Sequence, residues 1–374
     1  TNSVSFQSEN GVPVIITYPP TSTDNYIVQF DGADNIVFSD LTLTATGSSF
    51  GRIFDFRDGS DNITIDNNII NGLNLSSTSS YIIPVYSESG TGNDSITISN
   101  NIINYGSYGL YLNGTNSSNL ESEMLIVNNT IQDFYYEGMY LRYQDSVLVS
   151  GNSILAKTTG GYSTQYGIYA ANCDNSSQFT GNTIRLYSNS NNYGIYLYYS
   201  DGTSGEKITI DNNFITSHNG GSTSRGIYTN YSSYLNIYFN SVNITDGYSY
   251  YSAACYFEYG SNISLQNNIL ASTSASSAGY AIYTNSSSNI IASDYNDLFT
   301  NGNYLGYWSG SRANLANWQT ASGKDANSVS VNPLFASDTD LHTYALALDG
   351  TANPIAGITT DFDAENRDVS TPDI

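Results

Sequence analysis

The string Ile63-Thr64-Ile65-Asp66-Asn67-Asn68-Ile69-Ile70 returns nearly unchanged as Ile96-Thr97-Ile98-Ser99-Asn100-Asn101-Ile102-Ile103 and as Ile208-Thr209-Ile210-Asp211-Asn212-Asn213-Phe214-Ile215. Taking the first residue as an anchor, weaker copies begin at Ile36, Met124, Val147, Ser177, Leu235, Ile263 and Ile290, with successive gaps of 27, 33, 28, 23, 30, 31, 27, 28 and 27 residues. A recurrence of this length marks a solenoid. Within each copy the apolar residues alternate, as at Ile63 and Ile65, so the unit is built from short strands rather than helices.

Three columns of the repeat carry chemistry. Seven residues after the anchor stand Leu43, Ile70, Ile103, Ile131, Ile154, Ile184, Ile215, Val242 and Leu270, a candidate core column. Five after the anchor stand Asn68, Asn101, Asn129, Asn152, Asn182, Asn213, Asn240 and Asn268. Asn is the non-glycine residue that best tolerates left-handed backbone, so these eight are expected to make the bend between two strands and to stack as a ladder of amides. A second strand follows each bend and reads glycine or alanine, apolar, tyrosine: Gly109-Leu110-Tyr111, Gly138-Met139-Tyr140, Gly167-Ile168-Tyr169, Gly194-Ile195-Tyr196, Gly226-Ile227-Tyr228, Ala254-Cys255-Tyr256 and Ala281-Ile282-Tyr283.

Each circuit returns to the same strand type, so successive copies are expected to pair in parallel with a right-handed crossover. The expected fold is therefore all-β: a right-handed, single-stranded parallel β-helix of about 10 to 12 rungs at ~4.8 Å each, a rod of roughly 50 to 60 Å. Residues 1–297 would form the repeats and 298–374 a C-terminal capping region of the same domain, with a short helix in 311–322 capped by Ser311 and stopped by Gly323. Cys173 and Cys255 fall three rungs apart, about 14 Å, too far for a disulfide, and both are expected to be free.

Composition narrows function. The 374 residues carry 33 acidic and 10 basic side chains, a formal net charge of −23, which disfavours nucleic acid as a partner. The chain contains 34 Tyr, 32 Gly and 46 Asn, the profile of turn-rich β-structure. No apolar run is long enough for a membrane helix, so no membrane insertion is expected.

The rungs resemble those of the pectate-lyase-like right-handed parallel β-helix superfamily. The phrases Ser293-Asp294-Tyr295-Asn296-Asp297, Ser322-Gly323-Lys324-Asp325-Ala326-Asn327-Ser328, Pro333-Leu334-Phe335, Asp340-Leu341-His342 and Pro372-Asp373-Ile374 resemble the end of β-helix modules in large secreted or cell-surface proteins of Bacteroidota-type bacteria. That resemblance implies an extracellular or cell-surface location, export by type IX secretion, and other modules of the same protein as partners.

A fold of this kind hosts lyases, hydrolases, adhesins and spikes alike, so activity has to be read from sites. Polygalacturonase-type hydrolases need clustered Asp with a Gly-His-Gly phrase. His218 and His342 lie in no such phrase and read as surface or packing residues. Ten scattered Lys and Arg are few for a lyase acting on uronates. A two-carboxylate hydrolase of neutral sugars has Glu137 and the loop Asp55, Asp58, Asp61 as its candidates. The aspartates at 361 and 363, or 338 and 340, match no calcium loop, and neither a metal nor another cofactor is expected.

What stands out is a face. Alternation turns Tyr111, Tyr140, Tyr169, Tyr196, Tyr228, Tyr256 and Tyr283 outward as one column, flanked by a second of Tyr108, Glu137, Tyr166, Tyr193, Arg225 and Tyr280. Such a surface suits neutral glycans or partner surfaces, and the same stacking also holds rungs in register. The reading is a non-catalytic extracellular rod that serves as spacer and as an adhesive, glycan-contacting surface. The alternative is a polysaccharide-degrading enzyme, a hydrolase or lyase.

Overall fold

Alternating apolar and polar residues bury one face of every strand, and the chain meets that demand by coiling. In the computed structural model, which describes residues 3–9, 11–248, 251–274 and 279–374, the chain winds as a right-handed parallel β-helix of eleven turns. Three sheets line it. Sheet A runs from Val4–Gln7 through Ile63–Asp66 and Ile208–Asp211 to Ile290–Asp294. Sheet B runs from Val14–Tyr18 through Ile69–Asn71 to Asp297–Thr300, and sheet C from Val28–Asp31 through Glu137–Asp145 to Gly306–Trp308. The first turn precedes the copy anchored at Ile36, where the apolar pattern is too degenerate to read, yet Val4 pairs with Ile36 in register.

The interior is a set of like-on-like columns. Leu43, Ile70, Ile103, Ile131, Ile154, Ile184, Ile215, Val242 and Leu270 are in register along sheet B and fully enclosed. Sheet C closes tightly over this column, which accounts for the repeated glycine before each apolar-tyrosine pair. A Cβ on Gly167 would sit 2.4 Å from Ile184 Cγ2 and 2.6 Å from the Gly194 carbonyl oxygen. Cys173 and Cys255 are both free thiols inside this core.

The corner between sheets A and B differs in one detail from its sequence reading. The left-handed residue is the one before the ladder asparagine: Asn67, Asn100, Asn128, Asn212 and Asn267 have φ of 53 to 60°. Asn68, Asn101 and their equivalents keep negative φ and use their side chains instead. The two-residue turn takes its bend at the first position, which frees the second to aim its amide along the rod axis. Asn182 Oδ1 accepts from both the backbone N–H and the Nδ2 of Asn152, at 3.0 Å each, while Asn182 Nδ2 donates to Asn213 Oδ1 and to the Val149 carbonyl. The pattern repeats from Asn68 to Asn268 and extends one rung further, to Asn296. A register shift between Ile263 and Ser264 displaces that ninth asparagine by one position.

A second internal ladder lines the corner between sheets C and A. Backbone N–H groups of Ala33, Ser60 and Asn93 donate to Ser60 Oγ, Asn93 Oδ1 and Glu121 Oε1 of the next rung. Those of Cys173 and Ser200 donate to Ser200 Oγ and Ser232 Oγ.

The last turn is covered by helix α1, Leu315–Ser322, with Gly323 at φ 66° as its stop. Its N-cap is Asn314, whose side chain accepts from the Asn317 N–H, and not Ser311. Ser311 is drawn into a short antiparallel strand against Gly306–Trp308, and the helix starts after it. Trp318 seals the end of the core, packing edge-on against Trp308 and donating its indole N–H to Asp325 at 2.6 Å. The remaining chain does more than cap: it folds back along the rod. Asn353 exchanges hydrogen bonds with Asn267, Arg367 Nη2 donates to Asn212 Oδ1, and Phe362 stacks on Phe214 at 3.8 Å.

Several carboxyl groups are held in or against the sheets. Burial pushes Glu121 and Asp297 up to about 7, and Asp174 and Asp211 up to about 6. Their unfolded values lie near 4, so the native state retains protons that the unfolded chain has lost. Stability is therefore complete below about pH 4 for these groups and is lost as pH rises through 6 to 7. The melting temperature is expected to fall between pH 5 and pH 8, and Glu121→Gln to flatten part of that fall, as read by circular dichroism. A melting temperature that climbs over this range would contradict the assignment.

Candidate functional site

Sheet C presents the tyrosine column on its outer side because each tyrosine sits between two inward apolar residues. All seven expected members are in register, and Tyr86 and Tyr307 extend the column at either end. These two follow Val85 and Gly306, so their copies lack the motif that marks the others.

The rings use their faces on one another. Tyr111 and Tyr140 stack at 4.4 Å, Tyr196 and Tyr228 at 4.2 Å, and Tyr256 and Tyr283 at 4.3 Å. Near-perpendicular steps occur at Tyr169–Tyr196 and Tyr228–Tyr256, and each is bridged from the flanking column. Tyr166 packs against Tyr169 and Tyr196, and the Arg225 guanidinium lies 4.2 Å from Tyr228 and 3.6 Å from Tyr256. Exposure differs along the column: Tyr111, Tyr140, Tyr169, Tyr196 and Tyr307 are half-buried, whereas Tyr86, Tyr228, Tyr256 and Tyr283 are 9%, 6%, 4% and 7% exposed. Burial raises the phenol pKa values of Tyr228, Tyr256 and Tyr283, so these hydroxyls stay protonated at neutral pH. What the column offers outward is mainly ring edges and hydroxyl groups. Tyr228 donates to Glu258, and Tyr196 accepts from Asn230.

The flanking column is also as read from the sequence: Tyr108, Glu137, Tyr166, Tyr193 and Arg225 are in register, then Ala253 and Tyr280. Glu137 is buried among Tyr108, Tyr136 and Tyr166, and its Oε2 has no hydrogen-bond partner among the described residues. Desolvation raises its carboxyl well above the ordinary glutamate range, while a Tyr136 hydrogen bond acts in the opposite direction. The other candidate acids do not converge on it. Asp55 is engaged by Arg52 and Arg57, Asp58 occupies a left-handed turn, and Asp61 accepts the Asp94 N–H in a surface ladder.

A second aromatic stack was not legible as a repeat. Tyr199, Tyr231 and Tyr259 stack at 4.7 and 4.5 Å and are 43%, 42% and 46% exposed. Tyr199 and Tyr231 hold φ near 50°, unusual for a bulky residue, at the corner leaving sheet C. His218 stacks on Tyr187 and meets Thr245, while His342 bridges Asp340 at 2.5 Å and Asp363 at 2.7 Å. Among the described residues, no group of three or more His, Cys, Asp or Glu side chains is arranged to hold a metal ion. Nor is any helix among them long and apolar enough to cross a membrane.

Residues 58–243 match a family model described as periplasmic copper-binding protein (NosD). No curated protein matches the chain. Among solved structures it is similar to PfbA, a surface adhesin of Streptococcus pneumoniae, at 15% identity and TM-score 0.48, covering 72% of this chain and 63% of that one. It is also similar to the Dettilon tailspike protein (gp208), at 12% identity and TM-score 0.42, covering 82% of this chain and 60% of that one. The chain thus spans less than two thirds of the length of either structure. The copper in the family description finds no fitting donor set within the matched segment. Met124, Met139 and Cys173 are sealed in the core, burial raises the Cys173 thiol, and His218 is engaged with Thr245 and Tyr187. Copper ligation needs soft side chains converging on one open point, and these four groups do not supply it.

Proposed function

We propose that this chain is a non-catalytic, extracytoplasmic rod that acts as a spacer and meets neutral glycans or partner surfaces through the hydroxyl edge of its tyrosine face. One observation carries the reading: the nine-tyrosine column along sheet C, running from Tyr86 to Tyr307. The tyrosines follow one another at rung spacing, about 4.8 Å, and pack ring on ring or ring on edge, so a partner meets an array whose side chains are already largely ordered. The contact residues of this reading are Tyr111, Tyr140, Tyr169, Tyr196, Tyr228, Tyr256 and Tyr283, with the first four the more accessible. The periplasmic description of the matched family supports a setting outside the cytoplasm. The closing phrases through Pro372-Asp373-Ile374 support the finer reading of a pectate-lyase-like module within a large surface protein of Bacteroidota-type bacteria, exported by type IX secretion beside other modules.

Replacing Tyr140, Tyr169 and Tyr196 together by Phe keeps the stack and removes three hydroxyls. Binding on a neutral-glycan array is expected to drop at least tenfold with the melting temperature within a few degrees of the parent. Undiminished binding would remove the adhesive half of the proposal.

A second reading, a polysaccharide-degrading enzyme, draws on the buried Glu137 with its raised carboxyl pKa, a character it shares with Glu121 and Asp297. A general acid at a glycosidic bond has that character, but it works beside a second carboxylate about 5 to 9.5 Å away. That reading predicts reducing-end release from neutral polysaccharides that vanishes in Glu137→Gln. The spacer reading predicts no release from either protein and a higher melting temperature for Glu137→Gln at pH 7, because a buried acid no longer has to stay protonated.

A further inference from the structure

The back-folded C-terminal segment builds a groove that the repeat alone does not contain. On the outer side of sheet A, three successive rungs bring Gln178, Thr209 and Asn236 into one register column and Thr180, Asp211 and Tyr238 into the next. Neighbours in a column are about 4.8 Å apart, and the columns are about 6.7 Å apart, two residues along each strand. On the earlier rungs the same outer positions, Thr64, Thr97, Leu125 and Leu148, are partly or fully exposed. Here residues 355–360 arch over it and enclose a groove of about 380 Å³. The arch is pinned at both ends: Asn353 is tied to Asn267, and the Thr360 carbonyl accepts from Asn212 Nδ2 and Arg367 Nε. Ile355 and Ile358 line its inner side.

We propose that this groove is a binding site for a neutral sugar of one or two residues. The floor offers amide, hydroxyl and carboxylate groups on a grid, the mixture of donors and acceptors that vicinal hydroxyls require. The Tyr238 ring and the two isoleucines supply apolar surface for the C–H faces of a pyranose. The volume lies in the range of small-ligand sites, about 300 to 1,000 Å³. Charge favours a neutral guest: Asp211, the one charged side chain lining the groove, is buried in the floor, accepts from the Thr180 hydroxyl at 3.1 Å, and has its carboxyl pushed up by burial, so a full negative charge is disfavoured there. The site shares only its ligand class with the tyrosine-face reading. It lies on a different sheet and depends on a different segment.

The test is titration of the full chain with cellobiose, maltose and lactose, followed by saturation-transfer NMR and calorimetry. Saturable binding of at least one of them is expected. Thr209→Trp, which fills the groove from an outward position, should weaken that binding at least tenfold, and Asn236→Ala several-fold. The triple Tyr140, Tyr169, Tyr196 to Phe protein should bind as the parent does, which separates this site from the tyrosine face. The proposal is overturned if none of the three sugars binds saturably, or if both groove variants bind as tightly as the parent. If the tryptophan variant misfolds, Asn236→Ala is read by the same criterion.

Discussion

One interaction governs the rest of this molecule: from Asn101 onward, the side-chain oxygen of each corner asparagine accepts the backbone N–H and Nδ2–H of the asparagine one turn before it. A solenoid coil must turn a corner on every circuit, and a corner strips backbone groups of their sheet partners inside a dry core. Each orphaned buried group would cost on the order of 1 to 3 kcal/mol. The ladder satisfies these groups from Leu41 to Asn296 with one residue type and fixes the phase of each turn relative to the next. A slip of one residue would break two hydrogen bonds per rung and turn the apolar columns outward.

With the phase fixed, like residues stack on like residues, and the outer face inherits that order. The tyrosines of sheet C are spaced by the backbone ladder and then spend their ring faces on one another. Their stacking therefore contributes to register, at about 0.2 to 1 kcal/mol per cross-strand pair, and leaves ring edges and hydroxyl groups facing outward. Structural support and surface chemistry come from the same residues without conflict.

The sequence made the coil, the core column, eight of the ladder asparagines and seven of the column tyrosines legible because each recurs in fixed phase. It misassigned the left-handed residue because Asn67 and Asn68 are the same type in adjacent positions, and only the backbone distinguishes their roles. Asn296 was hidden by the register shift before it, and Ser311 looked like a cap because the strand that engages it forms only in three dimensions. The ladder through Ser60, Asn93, Glu121, Ser200 and Ser232 was invisible for another reason: several residue types supply the same acceptor. The arch over sheet A was beyond reach altogether, since Asn353 meets Asn267 and Arg367 meets Asn212 across 86 and 155 residues.

Hydrogen exchange at the corner amides tests the central interaction most directly. Turn N–H groups ordinarily exchange quickly, but those of Asn101, Asn129, Asn152, Asn182, Asn213, Asn240 and Asn268 are each bonded to the next asparagine. They are expected to exchange as slowly as the central strands of sheet B. Exchange of these amides at the rate of the surface loops would contradict the ladder and the in-phase coil built on it.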